Sequence, residues 1–149
     1  MKRTHTIASL GTLVELRSLD VDRLQADLAS QEATRTRYQN NLARLDALAT
    51  GSGATGSLPP ALALNCGAYK QNVLALADLH RSDLALHEAN MAVAQRKLTD
   101  AYTKRELLGK VLEQQQGALA REQDRIARKR EDEIATQSWM AGRVALANG

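Results

Sequence analysis

Apolar side chains recur at alternating spacings of three and four residues along two stretches of this chain, and the two stretches are unequal in length. In the first the positions are Leu10, Val14, Arg17, Val21, Leu24, Leu28, Gln31, Arg35, Tyr38, Leu42, Leu45 and Ala49. Nine of these twelve are apolar, the pattern that an a/d seam between packed helices requires. The second stretch has its best register at Ala77, Leu84, Met91, Leu98, Arg105, Leu112, Leu119 and Ile126, with Arg105 the one break. A companion row holds Val73, His80, His87, Ala94, Ala101, Leu108, Gln115 and Glu122, and it loses its apolar character after Leu108.

The pattern predicts a first helix over about 9–49, a turn over about 50–67 and a second helix over about 68–145, in one coiled-coil domain spanning 1–149. Thr6 and Ser9 are candidate N-caps, although neither has Glu or Gln three residues on. Thr50-Gly51 offers a glycine for a left-handed C-cap. Residues 51–60, GSGATGSLPP, hold three glycines and both prolines and read as the turn. Ser57 ahead of Pro59-Pro60 marks a possible helix start, since proline is tolerated in a first turn, and Gly67 leaves 61–67 an open join.

The fold class that follows is all-α: two long helices forming an antiparallel coiled-coil hairpin, with the second overhanging the first. At 1.5 Å per residue the helices would be about 60 Å and about 115 Å long. The first then covers only part of the second, and pairing is expected to end near Leu108. Beyond about residue 110 the helix should be the less stable end, because isolated helices are marginal in water without a buried stripe. An apolar seam without an intramolecular partner calls for an intermolecular one, so the pattern points to a binding protein.

Composition agrees. The chain has no Phe, one Trp and three Tyr, too few large aromatics for a thick core, while helix-favouring residues dominate. A net charge of +3 and a pI near 9.2 are modest, and a nucleic-acid binder would carry a one-sided basic stripe instead. Cys66 is the single cysteine, which excludes an internal disulfide and fits a reducing compartment. With only Lys70 as a nearby cation, Cys66 reads as a small half-buried residue near the bend rather than a reactive thiol. The opening Met-Lys-Arg-Thr-His-Thr leads into no apolar core of a secretory signal, and no apolar run approaches the roughly 18 residues of a membrane span. The expectation is a soluble, cytoplasmic protein.

Candidate chemistry is sparse. His80 and His87 lie seven apart, whereas a helical metal pair is spaced three or four, so they read as polar seam residues that tune register. GSGATGS lacks the Lys-Ser/Thr that follows a phosphate loop. Long helices gather no concave pocket, so no catalytic residue, cofactor or metal is expected. The segment REQDRIARKREDEIA, residues 121–135, stands out. Asp124–Arg128 and Lys129–Glu133 fall at i,i+4, consistent with a self-neutralising solvated face. The sharper reading is a charged docking face around Leu119, Ile126, Ile134 and Met140, with Trp139 as an anchor.

These residues resemble the flagellar export protein FliJ family and, more distantly, its injectisome counterparts. Leu10-x-x-Leu13 and Asp20-Val21-Asp22-Arg23-Leu24 are similar to the family's N-terminal helix, and AYKQNVLAL, residues 68–76, to the start of its second. DRIARKREDEIA, residues 124–135, resembles its charged C-terminal motif. Asn72 departs from the pattern, standing where an aromatic is often found. The resemblance implies a non-enzymatic stalk of the type III export apparatus, similar to the central stalk of rotary ATPases. Its implied partners are the hexameric export ATPase, the transmembrane export gate protein and export chaperones, with no nucleic acid and no membrane insertion. It implies an ATPase-binding end of Leu10, Leu13, Ile126, Arg128, Lys129, Arg130, Asp132 and Glu133. It implies a gate-binding end of Leu42 and Leu76, with Tyr38 and Tyr69 nearby. The seam places Leu42 inside the hairpin, so a contact there implies local opening near the bend. The implied location is the inner face of the bacterial membrane, reached through the apparatus, with a role in motility and chemotaxis. The rival readings are a homo-oligomeric structural coiled coil, recognised by its mass in solution, and a basic nucleic-acid-binding helix, recognised by steep salt dependence.

Overall fold

A computed structural model describes residues 2–51 and 59–149. Two helices account for the fold: α1 over Lys2–Gly51 and α2 over Pro60–Ala147. They pack against each other as an all-α hairpin. Both helices exceed their expected bounds. Thr6 is no N-cap: its Oγ1 donates to the Lys2 carbonyl at 3.1 Å, one turn back inside α1. Gly51 is the last residue of α1 and keeps a right-handed backbone, so it is not the left-handed cap. The expected join 61–67 is helical. Pro60 takes the first position, where a missing N–H costs nothing, and the Pro59 carbonyl accepts the first helical bond from Ala63 N at 3.0 Å. Ser57 and the rest of residues 52–58 of the expected turn lie outside the described residues.

The chain divides into two units, one of residues 19–102 and the other of residues 1–18 with 103–149. Within the first, cross-helix partners run in opposite directions: Arg35 meets Glu88, and Asp46, farther along α1, meets Arg81, farther back along α2. That order defines antiparallel packing. All four buried side chains among the described residues are here: Val21, Ala49, Val73 and Ala77. The seam positions from Val21 to Ala49 on α1, and from Val73 to Ala101 on α2, are all buried or half-buried. A two-helix seam shields only a narrow strip, so most of its residues stop at half burial.

In the other unit Leu10, Val14 and Arg17 of α1 are half-buried, as are Arg105, Leu108, Leu112, Gln115 and Leu119 of α2. Arg3 Nη1 donates to Glu122 Oε2 at 2.7 Å, closing the covered part. Pairing therefore ends near 119–122 rather than near Leu108. The earlier start of α1, whose residues 2–8 include half-buried Ile7, adds about two turns of cover, and the seam also continues past Leu108 through half-buried Leu112, Gln115 and Leu119. Gln115 is a polar residue inside the covered seam. From 121 onward every residue is exposed.

Gly67 lies inside α2, and a Cβ built on it meets nothing within 4 Å. Gly67→Ala should stabilise the protein by about 0.5–1 kcal/mol, since Ala loses less conformational entropy in a helix. A thermal melt followed by circular dichroism checks this; a lowered midpoint would mean that the first turns of α2 need the glycine.

Candidate functional site

The residues implied for ATPase binding all belong to the unit of residues 1–18 and 103–149. Leu10 is half-buried in the seam, and Leu13 is 42% exposed on the outside of α1. Ile126, Arg128, Lys129, Arg130, Asp132 and Glu133 are all exposed on the uncovered part of α2. The two groups do not meet. With Arg3 opposite Glu122, Leu10 and Ile126 lie on opposite sides of that ion pair, on the order of 16 Å apart along the axis.

On α2 itself the basic run fans out, because consecutive helical residues are roughly 100° apart. Arg130 and Glu133 share the face of Ile126, which prolongs the seam. Arg128 and Asp132 take the opposite face, where they line a shallow charged groove with Arg121, Asp124, Arg125 and Lys129. Among the described residues no ion pair joins Asp124 to Arg128 or Lys129 to Glu133, so the expected self-neutralising pairs are not formed. Farther along, Ile134, Trp139, Met140 and Val144 are each about 60% exposed. The Arg143 guanidinium stacks over the Trp139 ring at 4.8 Å. Arg121 and Arg125 were not singled out by the resemblance; their spacing of seven and three residues from Arg128 is the signal that places them on one face.

The residues implied for the gate all belong to the unit of residues 19–102, and they divide between inside and outside. Tyr38 sits between two histidines, its ring centroid 5.1 Å from that of His80 and 5.6 Å from that of His87. His87 Nε2 donates to the Gln31 carbonyl at 2.8 Å, which sets its tautomer. Gln31 Oε1 and His80 Nε2 are shielded without a protein partner. This is a polar layer across the seam, as the spacing of the two histidines leads one to expect. Beside it Arg35 bridges to Glu88 at 3.1 Å. Its affinity for the proton is raised, first by that hydrogen bond and then by the charge of Glu32. Leu42 is half-buried in the seam, so a contact through it needs local opening. Tyr69 and Leu76 are 47% and 51% exposed on α2. Cys66 is half-buried.

No helix among the described residues is long and apolar enough to cross a membrane, and none of their His, Cys, Asp and Glu side chains gather as a metal site. A two-helix hairpin with its charge and much of its apolar surface displayed outward belongs to the class of helical adaptor proteins. The chain matches the family described as "Flagellar FliJ protein" over residues 6–143, and it belongs to that family. It is therefore a component of the flagellar export apparatus, in a family of structural adaptors rather than enzymes. No curated protein and no solved structure matches the chain significantly.

Proposed function

We propose that this protein is the stalk of the type III flagellar export apparatus: it binds the export ATPase ring, stimulates its ATP hydrolysis and couples it to the transmembrane export gate. One observation carries the reading. The last turns of α2, from residue 121, have no covering helix, yet they present a dense run of charge and exposed Ile126, Ile134, Trp139 and Met140. A helix end of that kind is stabilised by docking into a surrounding protein wall. The protein would contribute no catalytic group; one helical end packed against six similar subunits would favour one subunit conformation over the others. Export chaperones would be escorted from the same apparatus, and the protein would sit at the inner face of the membrane through its partners.

The test is ATP hydrolysis by the cognate export ATPase with and without this protein. Stimulation that saturates with added protein is expected. A hydrolysis rate that does not change at any ratio would overturn the stalk reading.

A further inference from the structure

Besides the seam, α2 carries a second heptad stripe that α1 does not cover. Leu62, Tyr69, Leu76, Leu79, Leu86 and Val93 are each between 47% and 64% exposed. They are spaced by seven, seven, three, seven and seven residues, displaced by one position from the row of Val73, Ala77, Leu84 and Met91 that faces α1. At 3.6 residues per turn the two stripes lie roughly a quarter of a turn apart, so the second is open while the first is filled. The heptad positions between these apolar residues are Asn65, Asn72, Asp83 and Asn90, all exposed.

The order of apolar and polar positions along this stripe is a palindrome. In an antiparallel helix pair each a position faces a d position of the other helix. Two copies of α2 laid antiparallel about a point between Ala77 and Asp78 bring Leu62 of one onto Val93 of the other. Tyr69 then faces Leu86, and Leu76 faces Leu79. The polar positions match as well: Asn72 faces Asp83, an amide donating to a carboxylate, and Asn65 faces Asn90. Every apolar layer meets an apolar layer and every polar layer a polar one, and each match occurs twice by symmetry. A stripe for a foreign helix has no reason to be self-complementary, whereas an interface on a two-fold axis must be. The flank away from α1 agrees: Ala61, Ala68, Ala75, Ser82 and Ala89 repeat every seven residues, all exposed. Small side chains there let two helix axes approach closely.

We infer that the stripe from Leu62 to Val93 is a homodimer interface, at which a second copy of this chain pairs antiparallel through α2. The strip is about 45 Å long and about 10 Å wide, so two copies bury on the order of 900 Å², the size of a weak, reversible interface. The dimer accordingly forms at micromolar rather than nanomolar concentration. It occludes Tyr69 and Leu76, so self-pairing and any partner contact through those two residues are mutually exclusive.

Sedimentation equilibrium of the full chain over about 1–200 µM tests this without any other protein, so it stands or falls separately from the stalk reading. The wild type should shift from monomer to dimer within that range. Leu76→Glu, which sets a carboxylate against Leu79 of the other copy, should weaken dimerisation about 100-fold or more. Leu76→Glu with Leu79→Lys should recover most of the loss, because each Glu then faces a Lys across the axis. Circular dichroism should report unchanged helicity for both, since both positions are exposed in the hairpin. Ile126→Glu, in the uncovered end of α2, should leave the dimer as tight as the wild type. A chain that stays monomeric throughout overturns the inference and leaves the stripe to a helix of another protein. Loss of the dimer in Ile126→Glu, persistence in Leu76→Glu, or a double variant no tighter than the single one each overturn it too.

Discussion

Replacing Arg128, Lys129 and Arg130 together by glutamate should abolish stimulation of the export ATPase and weaken binding to it at least about tenfold. The three side chains are exposed, and they diverge around α2 rather than converging on one patch. A partner that touched one face would feel one of the three. A ring that surrounds the helix would feel all of them, so the triple variant should lose much more than any single one. The change removes three positive charges and adds three negative ones, and like-charge juxtaposition at a docked surface costs several kcal/mol. The fold should not notice. Glutamate is as good a helix former as lysine or arginine, and neither Asp124–Arg128 nor Lys129–Glu133 is an ion pair that the change would break. Helicity by circular dichroism and hydrolysis rates at a series of protein concentrations separate the two effects. Unaltered stimulation with intact helicity would remove this run from the ATPase contact.

The seam was legible because burial in a two-helix pack is itself periodic. All twelve positions read from Leu10 to Ala49 are buried or half-buried, including Arg17, Gln31 and Arg35, whose polarity argues against them one at a time. The polar layer was legible too, since His80 and His87 are seven apart and so must face the same way. Helix ends were not. Residues 2–8 carry one large apolar side chain, Ile7, and their hold on α2 includes an ion pair between Arg3 and Glu122, which no local pattern shows. Gly67 looks like a boundary, but one glycine costs only about 1 kcal/mol in a helix held by its neighbours on both sides. The early start of α1 adds about two turns of pairing, and polar Gln115 hides the rest of the covered seam beyond Leu108. As for the candidate site, the charge between 121 and 135 is plain in the sequence, but its grouping into faces needs the phase of a continuous helix. That phase separates Arg128 from Arg130 and joins Arg128 to Arg121 and Arg125.

Val21→Asp should destabilise the protein by about 4 kcal/mol or more. Val21 is 1% exposed, the largest fully buried side chain among the described residues. Losing its burial removes about 2 kcal/mol of hydrophobic stabilisation. A carboxylate left in its place costs at least as much again, whether it stays charged without a partner or takes up a proton. For a chain of this size 1 kcal/mol shifts the melting midpoint by about 2–4 °C, so a fall of roughly 8–16 °C is expected. Leu19→Asp is the control. Leu19 is two residues away on the same helix and 63% exposed, so the same new side chain should change stability by no more than about 0.5 kcal/mol. The contrast cancels the low helix propensity of aspartate, which both variants share, and isolates the seam. Equal midpoints for the two would mean that the α1–α2 seam around Val21 does not hold this unit together. A large difference would show that the narrow seam holds this unit together, in keeping with the buried side chains at Val21, Ala49, Val73 and Ala77.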